Sequence, residues 1–375
     1  LRDGGTLQIG IGQIGDALAQ GLIIRHRNGA AFNEILARLT PTRPIVARES
    51  GAFHTGLYGV SEMLTEAFIG LLEGGILKRA VDGVVLHGAF FLGPKSFYRT
   101  LREMPAEQIA RIQMMPVSFT NELYGEEDAK RRARVGARFI NNTMMATLLG
   151  AAVSDGLEDG QVVSGVGGQY NFVAQAFALT DARAVLTLEA TRQSRKLQSN
   201  ILWRYGHQAI PRHLRDVFVT EYGVADVRGQ SDADVIASML AITDSRFQDE
   251  LMRIAKDAGK LPRNHEIPAV HRENVPERIA RALKPAREAG LLPSFPFGSD
   301  FTDVEQRLIP ALQVLQAAQR SPVELTGLLW QGLTRTSDAA DEEALARLGL
   351  DRPKTWSERG YRALVSAALV RSRST

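Results

Sequence analysis

The chain has 375 residues, 44% of them hydrophobic and 23% charged, with no cysteine and a net charge of +3. These proportions exclude a disordered or fibrous polypeptide, and the length supplies roughly two to three domains' worth of chain for burying a core. The missing thiol excludes a disulfide scaffold, a cysteine-ligated zinc or iron–sulfur site and a thiolate nucleophile, so covalent catalysis must run through oxygen or nitrogen. A small positive charge carried mainly by arginine suits a modest anionic ligand rather than nucleic acid, whose binding needs a dense basic face. The longest apolar run, Met144 to Val153, is about half of the ~20 residues a bilayer crossing requires, so no membrane partner is expected. No leader is visible, and the expected location is the cytoplasm. The chain begins with Leu1 rather than Met and enters an apolar run at once, which reads as a segment of a longer polypeptide.

From Thr6 to about Gly229, short β-type runs alternate with longer helical patterns, which predicts an α/β fold with an open, mainly parallel sheet flanked by helices. The first strand is Leu7 to Ile11, followed by a helix over Asp16 to His26. Further strands are expected at Val81 to Phe91, Ile112 to Phe119, Gln161 to Val163, Ala184 to Leu188 and Asp216 to Thr220, with helices at Ser61 to Leu77 and Tyr170 to Leu179. Beyond Gly229 the periodicity becomes helical, over Ser231 to Ile242 and Phe247 to Ala258. Residues 261–301 hold six prolines and read as an irregular connection containing one helix. The expected division is an α/β domain over residues 1–302 and a helical extension over 303–375.

Two glycine-rich turns each lie between a strand and a helix. Gly10-x-Gly12-x-x-Gly15 matches the dinucleotide fingerprint, in which glycines let backbone approach a pyrophosphate at a helix N-terminus. No strand ending in an acidic residue follows at the expected interval, since Glu34 sits in the helical pattern Ala31 to Leu39, so a plain strand-to-helix turn explains these residues equally well. Ser164-Gly165-Val166-Gly167-Gly168-Gln169 lets backbone N–H groups converge on a phosphate or a developing oxyanion. Both turns would lie at the carboxyl ends of parallel strands, where such sheets bind ligands.

Between them runs Tyr58-Gly59-Val60-Ser61-Glu62-Met63-Leu64. Ser61 reads as a helix N-cap, with Leu64, Phe68, Leu71 and Leu72 as the apolar stripe and Gly74-Gly75 as the stop. Glu62 then falls in the first turn, where the helix dipole favours a carboxylate, a competent nucleophile toward an activated acyl group. Residues 190–215 carry Arg192, Arg195, Lys196, Arg204, Arg212 and Arg215, a run that serves either as phosphate contacts or as solvated surface. Lys130-Arg131-Arg132-Ala133-Arg134 reads as a charged exposed helix. His207 with His213 and His265 with His271 lack metal-ligand spacing, so no metal site is expected. Asn141-Asn142-Thr143 has the form of a glycosylation acceptor.

Gly-Thr-Leu-Gln-Ile-Gly-Ile-Gly (5–12), Gly-Val-Ser-Glu-Met (59–63), Ser-Gly-Val-Gly-Gly-Gln (164–169) and Val-Thr-Glu-Tyr-Gly-Val-Ala-Asp-Val-Arg-Gly (219–229) occur in this order. In combination the chain resembles the acetyl-CoA hydrolase/transferase family, the class I CoA-transferases, over residues 3–250, and corresponds to their C-terminal domain. The resemblance implies that the family's preceding α/β domain is absent here. It implies Glu62 as the nucleophile and Asn121 as its assistant at the reacting carbonyl. Gly10, Gly12, Gly165, Gly167, Gly168 and Gln169 would then lie at the coenzyme, with Glu221 behind the site. It further implies coenzyme A as a substrate rather than a permanently bound cofactor, with an acyl-CoA and a small carboxylate as partners; self-association is left open. The departures are Val60 for an aromatic or His, Gly15 for Pro, Glu122 after Asn121 in place of His-Pro, and about two dozen extra residues near Ile24 to Ala52. Two other functions remain, a catalytically silent CoA-binding module and an NAD-dependent oxidoreductase using the first glycine turn.

Overall fold

The computed structural model describes residues 1–40, 49–194, 196–319, 321–335 and 338–373. They form two compact units, Leu1–Gly298 and Ser299–Thr375.

In the first unit the strands are, in chain order, β1 (Thr6–Ile9), β2 (Tyr58–Leu64), β3 (Leu86–Phe91), β4 (Ile112–Met114), β5 (Arg138–Asn142), β6 (Met145–Thr147) and β7 (Ala152–Val153). There follow β8 (Arg183–Thr187), β9 (Thr191–Gln193), β10 (Leu197–Ser199), β11 (Ile201–Leu202), β12 (Val217–Thr220) and β13 (Gly223–Asp226). Eight of them make one sheet in the order β13-β12-β8-β5-β1-β2-β3-β4. Every pairing in it is parallel except that of β12 with the edge strand β13. The order runs outward from β1 through β2 to β4, then restarts on its other side with β5, so the topological switch point lies between β1 and β5. Open parallel sheets bind ligands at the carboxyl ends of their strands beside such a point. A small sheet of β11, β6 and β7 and the hairpin of β9 and β10 stand apart from the main one.

Alternate residues of a strand face opposite sides of the sheet, and neighbours in sequence enter different cores accordingly. Phe139 packs with Phe172, Val173, Leu186 and Phe218 on one face. Ile140 packs with Leu7, Ile9, Leu22 and Phe68 on the other. Burial on both faces explains the near-continuous apolar character of β1 and β2.

The helix expected over Ser61 to Leu77 is a strand and then a shorter helix, Glu66–Glu73, entered through Thr65. Ser61 is not a cap: it is a buried strand residue whose hydroxyl donates to the carbonyl of Ile9 at 3.3 Å. Tyr58, Val60 and Leu64 are buried as in a central strand, and the apolar stripe with helical spacing begins only beyond them. Gln161 to Val163 likewise forms no strand, only an isolated bridge between Val162 and Gly156. The strand expected over Ile112 to Phe119 stops at Met114, and Val117–Asn121 is a short helix entered through Pro116, which cannot donate to a ladder. The helices Gln13–Arg27, Gly29–Leu39, Gln169–Ala178, Asp232–Ala241 and Ser245–Asp257 fall where the periodicity put them, and Pro276–Glu288 is the single α-helix of the proline-rich stretch.

The second unit consists of the helices Asp303–Ala318, Pro322–Leu333, Ala339–Arg347 and Trp356–Arg373. Leu308, Ala311, Leu345, Val365 and Leu369 form its core. Thr302 and Glu305 close the first helix with a reciprocal capping box. No helix among the described residues is long and apolar enough to cross a membrane.

Candidate active site

Strand β2 outruns its neighbour β1. Leu7 is level with Gly59, so Glu62 lies just past the final residue of β1, half-buried at the carboxyl end of the sheet. Its carboxylate rests on the strand, not on a helix N-terminus as the sequence suggested. The Asn121 side-chain amide donates to its Oε2 at 2.5 Å. Asn121 is 6% exposed and ends the helix Val117–Asn121, brought over β2 and β3 by the turn after β4. Two residues 59 positions apart in sequence thus meet.

The second glycine turn covers this pair. A Cβ on Gly168 would collide with both the Glu62 carboxylate and the Asn121 amide, and one on Gly167 would lie 3.7 Å from Glu62 Oε1. Gly167 has φ +55, in the left-handed region that glycine adopts at least cost. Among the described residues, no acceptor takes the backbone N–H groups of Gly167 or Gly168. Gly165, in the same turn, has open space around its Cα. A carboxylate and a side-chain amide thus meet beneath a glycine turn with two uncommitted main-chain donors, residue types suited to stabilising an oxyanion formed beside the carboxylate.

The first glycine turn lies at the switch point. Gly10 donates its N–H to the carbonyl of Ile140 at 2.7 Å, and the Asn142 amide donates to the carbonyl of Ile11 at 3.0 Å, so the turn is stitched to β5. Gly12, with φ +107, starts the helix, and a Cβ on Gly15 would meet the Gly10 carbonyl oxygen at 2.5 Å. Below the turn Gln8 and Asn141 exchange amide hydrogen bonds of 3.0 and 3.1 Å. That pairing and the 7% exposure of Asn141 remove it as an accessible glycosylation acceptor. Glu34, the only carboxylate near the interval a dinucleotide ribose would need, sits on the helix Gly29–Leu39 and pairs with Arg38.

Gln169, expected at the coenzyme, is buried with both ends of its amide engaged: it donates to the carbonyl of Asn142 at 2.7 Å and accepts from the Ser154 hydroxyl at 2.7 Å. It braces the glycine turn from inside. Glu221 follows β12 and accepts the N–H of Ala190 at 2.9 Å. Its side chain meets solvent, yet surrounding protein desolvates the carboxyl enough to raise its pKa, with Glu189 and Asp244 adding repulsion against the main-chain N–H bonds that lower it. None of its hydrogen bonds reaches Glu62 or Asn121.

The charged helix is a correction. Lys130 and Arg134, four residues apart on or just beyond the helix Glu127–Ala133, are 5% and 1% exposed. Lys130 Nζ donates to the carbonyls of Ser118, Glu122 and Tyr124, and Arg134 to those of Phe119 and Glu122. Burial lowers the pKa of both, that of Arg134 to about 10, so its guanidinium remains charged at neutral pH. The two cations cap the short segment that presents Asn121. Their i, i+4 spacing beside Ala133 was the available signal, masked by the surrounding charges.

Of the basic run, Arg192 is tied to Ser199 and Asn200, while Arg212 and Arg215 pair with Asp232; Arg195 lies outside the described residues. Part of the extra stretch near Ile24 to Ala52 also lies outside them. No group of three or more His, Asp or Glu able to hold a metal occurs among the described residues.

Residues 93–255 match the family model described as the acetyl-CoA hydrolase/transferase C-terminal domain. That span contains Asn121, Gly165 to Gln169 and Glu221, and leaves Glu62 and the first glycine turn before it. The chain is 26% identical over 256 residues to the butyryl-CoA:acetate CoA-transferase of Anaerostipes caccae, covering 64% of this chain and 53% of that protein. It is 23% identical over 257 residues to the 4-hydroxybutyrate coenzyme A transferase of Clostridium kluyveri, covering 67% and 51%. In fold it is similar to the crystal structure of RipA from Yersinia pestis, with a TM-score of 0.53 and 23% identity over 69% of this chain and 50% of that one. The chain therefore spans about half the length of the relatives it matches. Over residues 93–255 the chain is thus similar to the acetyl-CoA hydrolase/transferase C-terminal domain, and over a longer span it is similar to proteins named as CoA-transferases.

Proposed function

We propose that the protein transfers coenzyme A between an acyl-CoA and a small carboxylate through a glutamyl-CoA thioester on Glu62, and that the same site hydrolyses acetyl-CoA when water is the acceptor. The observation that carries this reading is the Glu62 carboxylate held by the Asn121 amide at 2.5 Å beneath the Gly167-Gly168 turn. The relatives' printed activities, all CoA transfers, support it.

A carboxylate oxygen of Glu62 attacks the thioester carbonyl carbon, and the electron pair of the C=O moves onto its oxygen. The Gly167 and Gly168 N–H groups, with Asn121, are the donors for that oxyanion, each contributing about 3 kcal/mol by the usual worth of such a donor. Collapse breaks the C–S bond and leaves a mixed anhydride and CoA thiolate. The thiolate then attacks the glutamyl carbonyl, releasing the first carboxylate and leaving CoA bound to Glu62 as a thioester. A second carboxylate takes the CoA by the reverse steps. The protein contributes no thiol, having no cysteine, so the only sulfur nucleophile is the coenzyme's. CoA is a substrate in this scheme, and the cytoplasm, where acyl-CoA pools reside, is the proposed location.

The full-length protein should move labelled acetate into acetyl-CoA and should be protected against thermal unfolding by CoA but not by NAD. Release of acetate and CoA without exchange would assign hydrolysis instead. Thermal protection with neither reaction would reduce the protein to a CoA-binding module. Nothing in the comparisons supports the oxidoreductase reading.

A further inference from the structure

The segment that presents Asn121 is a helix of only five residues, Val117–Asn121, too short to hold a side chain within the tolerance a reacting centre needs. Its support comes from Gln175, 3% exposed, on the helix Gln169–Ala178. Gln175 Nε2 donates to the main-chain carbonyl of Asn121 at 2.5 Å and to that of Thr120 at 3.4 Å, while its Oε1 accepts from the buried Arg134 guanidinium. Arg134 in turn holds the carbonyl of Phe119. The same helix starts directly after Gly168 and is anchored at its first residue, where Gln169 binds Asn142 and Ser154.

We propose that Gln175 is a positioning residue for the reaction, fixing Asn121 against Glu62 through one rigid helix that also sets the height of the Gly167-Gly168 turn. This rests on the function proposed above. The donors around the Glu62 carboxylate are then not independent: the glycine turn leads into the first turn of the helix, and Asn121 hangs from its second. A shift of that helix moves both sets of donors together. Gln175 touches none of the reacting atoms and acts only through Asn121.

The decisive variant is Gln175→Glu. It keeps an acceptor for Arg134, and so the buried cation stays paired, but it replaces the N–H donors facing Asn121 with an oxygen that repels the carbonyl. Gln175→Met, similar in volume and without polar atoms, is the second variant should the first fail to fold. Three readouts are taken on the full-length protein: the rate at which CoA is captured on the protein from acetyl-CoA, the dissociation constant of CoA, and the NMR signal of the Asn121 side-chain amide, assigned with Asn121→Asp. In the folded variant the capture rate should fall by about tenfold or more, in line with the sensitivity of catalysis to sub-ångström misplacement. CoA affinity should stay within about twofold, and the Asn121 amide signal should move as its bond to Glu62 is lost. A capture rate within about twofold of wild type, or an unmoved Asn121 signal, would overturn the proposal. If wild type captures no CoA, the proposed function fails, and the Asn121 signal alone then decides whether Gln175 sets its position.

Discussion

Gly168→Ala tests the geometry over Glu62 with one methyl group. The backbone at Gly168 has φ −81, ordinary for alanine, so no conformational strain attends the change. The added Cβ, however, would overlap Glu62 Oε2 and the Asn121 amide, and would lie 3.2 Å from Asn121 Cγ. Either the carboxylate swings away, breaking its 2.5 Å bond to Asn121, or the turn lifts by about 1 Å. Misplacement on that scale costs about 10²-fold in rate, or about 2.7 kcal/mol of transition-state stabilisation. Gly167→Ala supplies the contrast. Its Cβ would lie 3.7 Å from Glu62 Oε1, which is ordinary contact, but φ +55 costs an alanine about 1 kcal/mol or more. Single-turnover capture of CoA and thermal unfolding, measured on both variants, should therefore separate: Gly168→Ala loses rate with little loss of stability, and Gly167→Ala loses stability with the smaller loss of rate. Equal rates for Gly168→Ala and wild type would refute the placement of the glycine turn over the carboxylate.

Asn121→Ala should slow CoA capture by about 10²-fold, the usual loss when one oxyanion donor is removed, with CoA binding measured by calorimetry nearly unchanged. Asp244 is fully buried; desolvation pushes its pKa up, but bonds from the Arg246 guanidinium, the Tyr222 hydroxyl at 2.8 Å and the Arg246 N–H bring it below its ordinary value. A depressed folded-state pKa gives stability that is complete above the unfolded value near 3.9 and is lost as pH falls through the folded value. Asp244→Asn should therefore cost about 2 kcal/mol by urea unfolding between pH 5 and 7, since Arg246 is partly exposed, and the gap to wild type should close below about pH 4. In the helical unit, a Cβ on Gly332 would run into the backbone of Ala363, so Gly332→Ala should force the helices Pro322–Leu333 and Trp356–Arg373 apart and cost about 1–3 kcal/mol by thermal unfolding.

The sequence disclosed the alternation of strands and helices, and with it a mainly parallel sheet, because strands buried on both faces and helices with one apolar stripe leave distinct periodicities. It did not disclose the conformation around Glu62. Ser61 has the chemistry of an N-cap, and Leu64 and Phe68 have helical spacing, yet Tyr58 to Leu64 pairs with β1 and β3. A central parallel strand gains its stability from partners distant in the chain, which local pattern does not encode. Asn121 was reachable only through resemblance, since its value lies in a contact 59 residues away. Lys130, Arg134 and Gln175 were missed for the opposite reason: polar residues in charged or mixed stretches read as solvated, and only the fold shows that they face the carbonyls of a short buried segment. Glu221, expected behind the site, accepts the Ala190 N–H rather than contacting the Glu62 carboxylate, and Arg192, Arg212 and Arg215 of the basic run are held by Ser199, Asn200 and Asp232.

The claim that Glu62 carries the coenzyme is tested most directly by intact mass of the full-length protein after incubation with acetyl-CoA or succinyl-CoA. Wild type should gain the mass of one CoA less one water, localised by proteolysis to the peptide containing Glu62, and Glu62→Ala and Glu62→Asp should gain nothing. The same mass gain in Glu62→Ala, or its location on any other residue, would contradict the account.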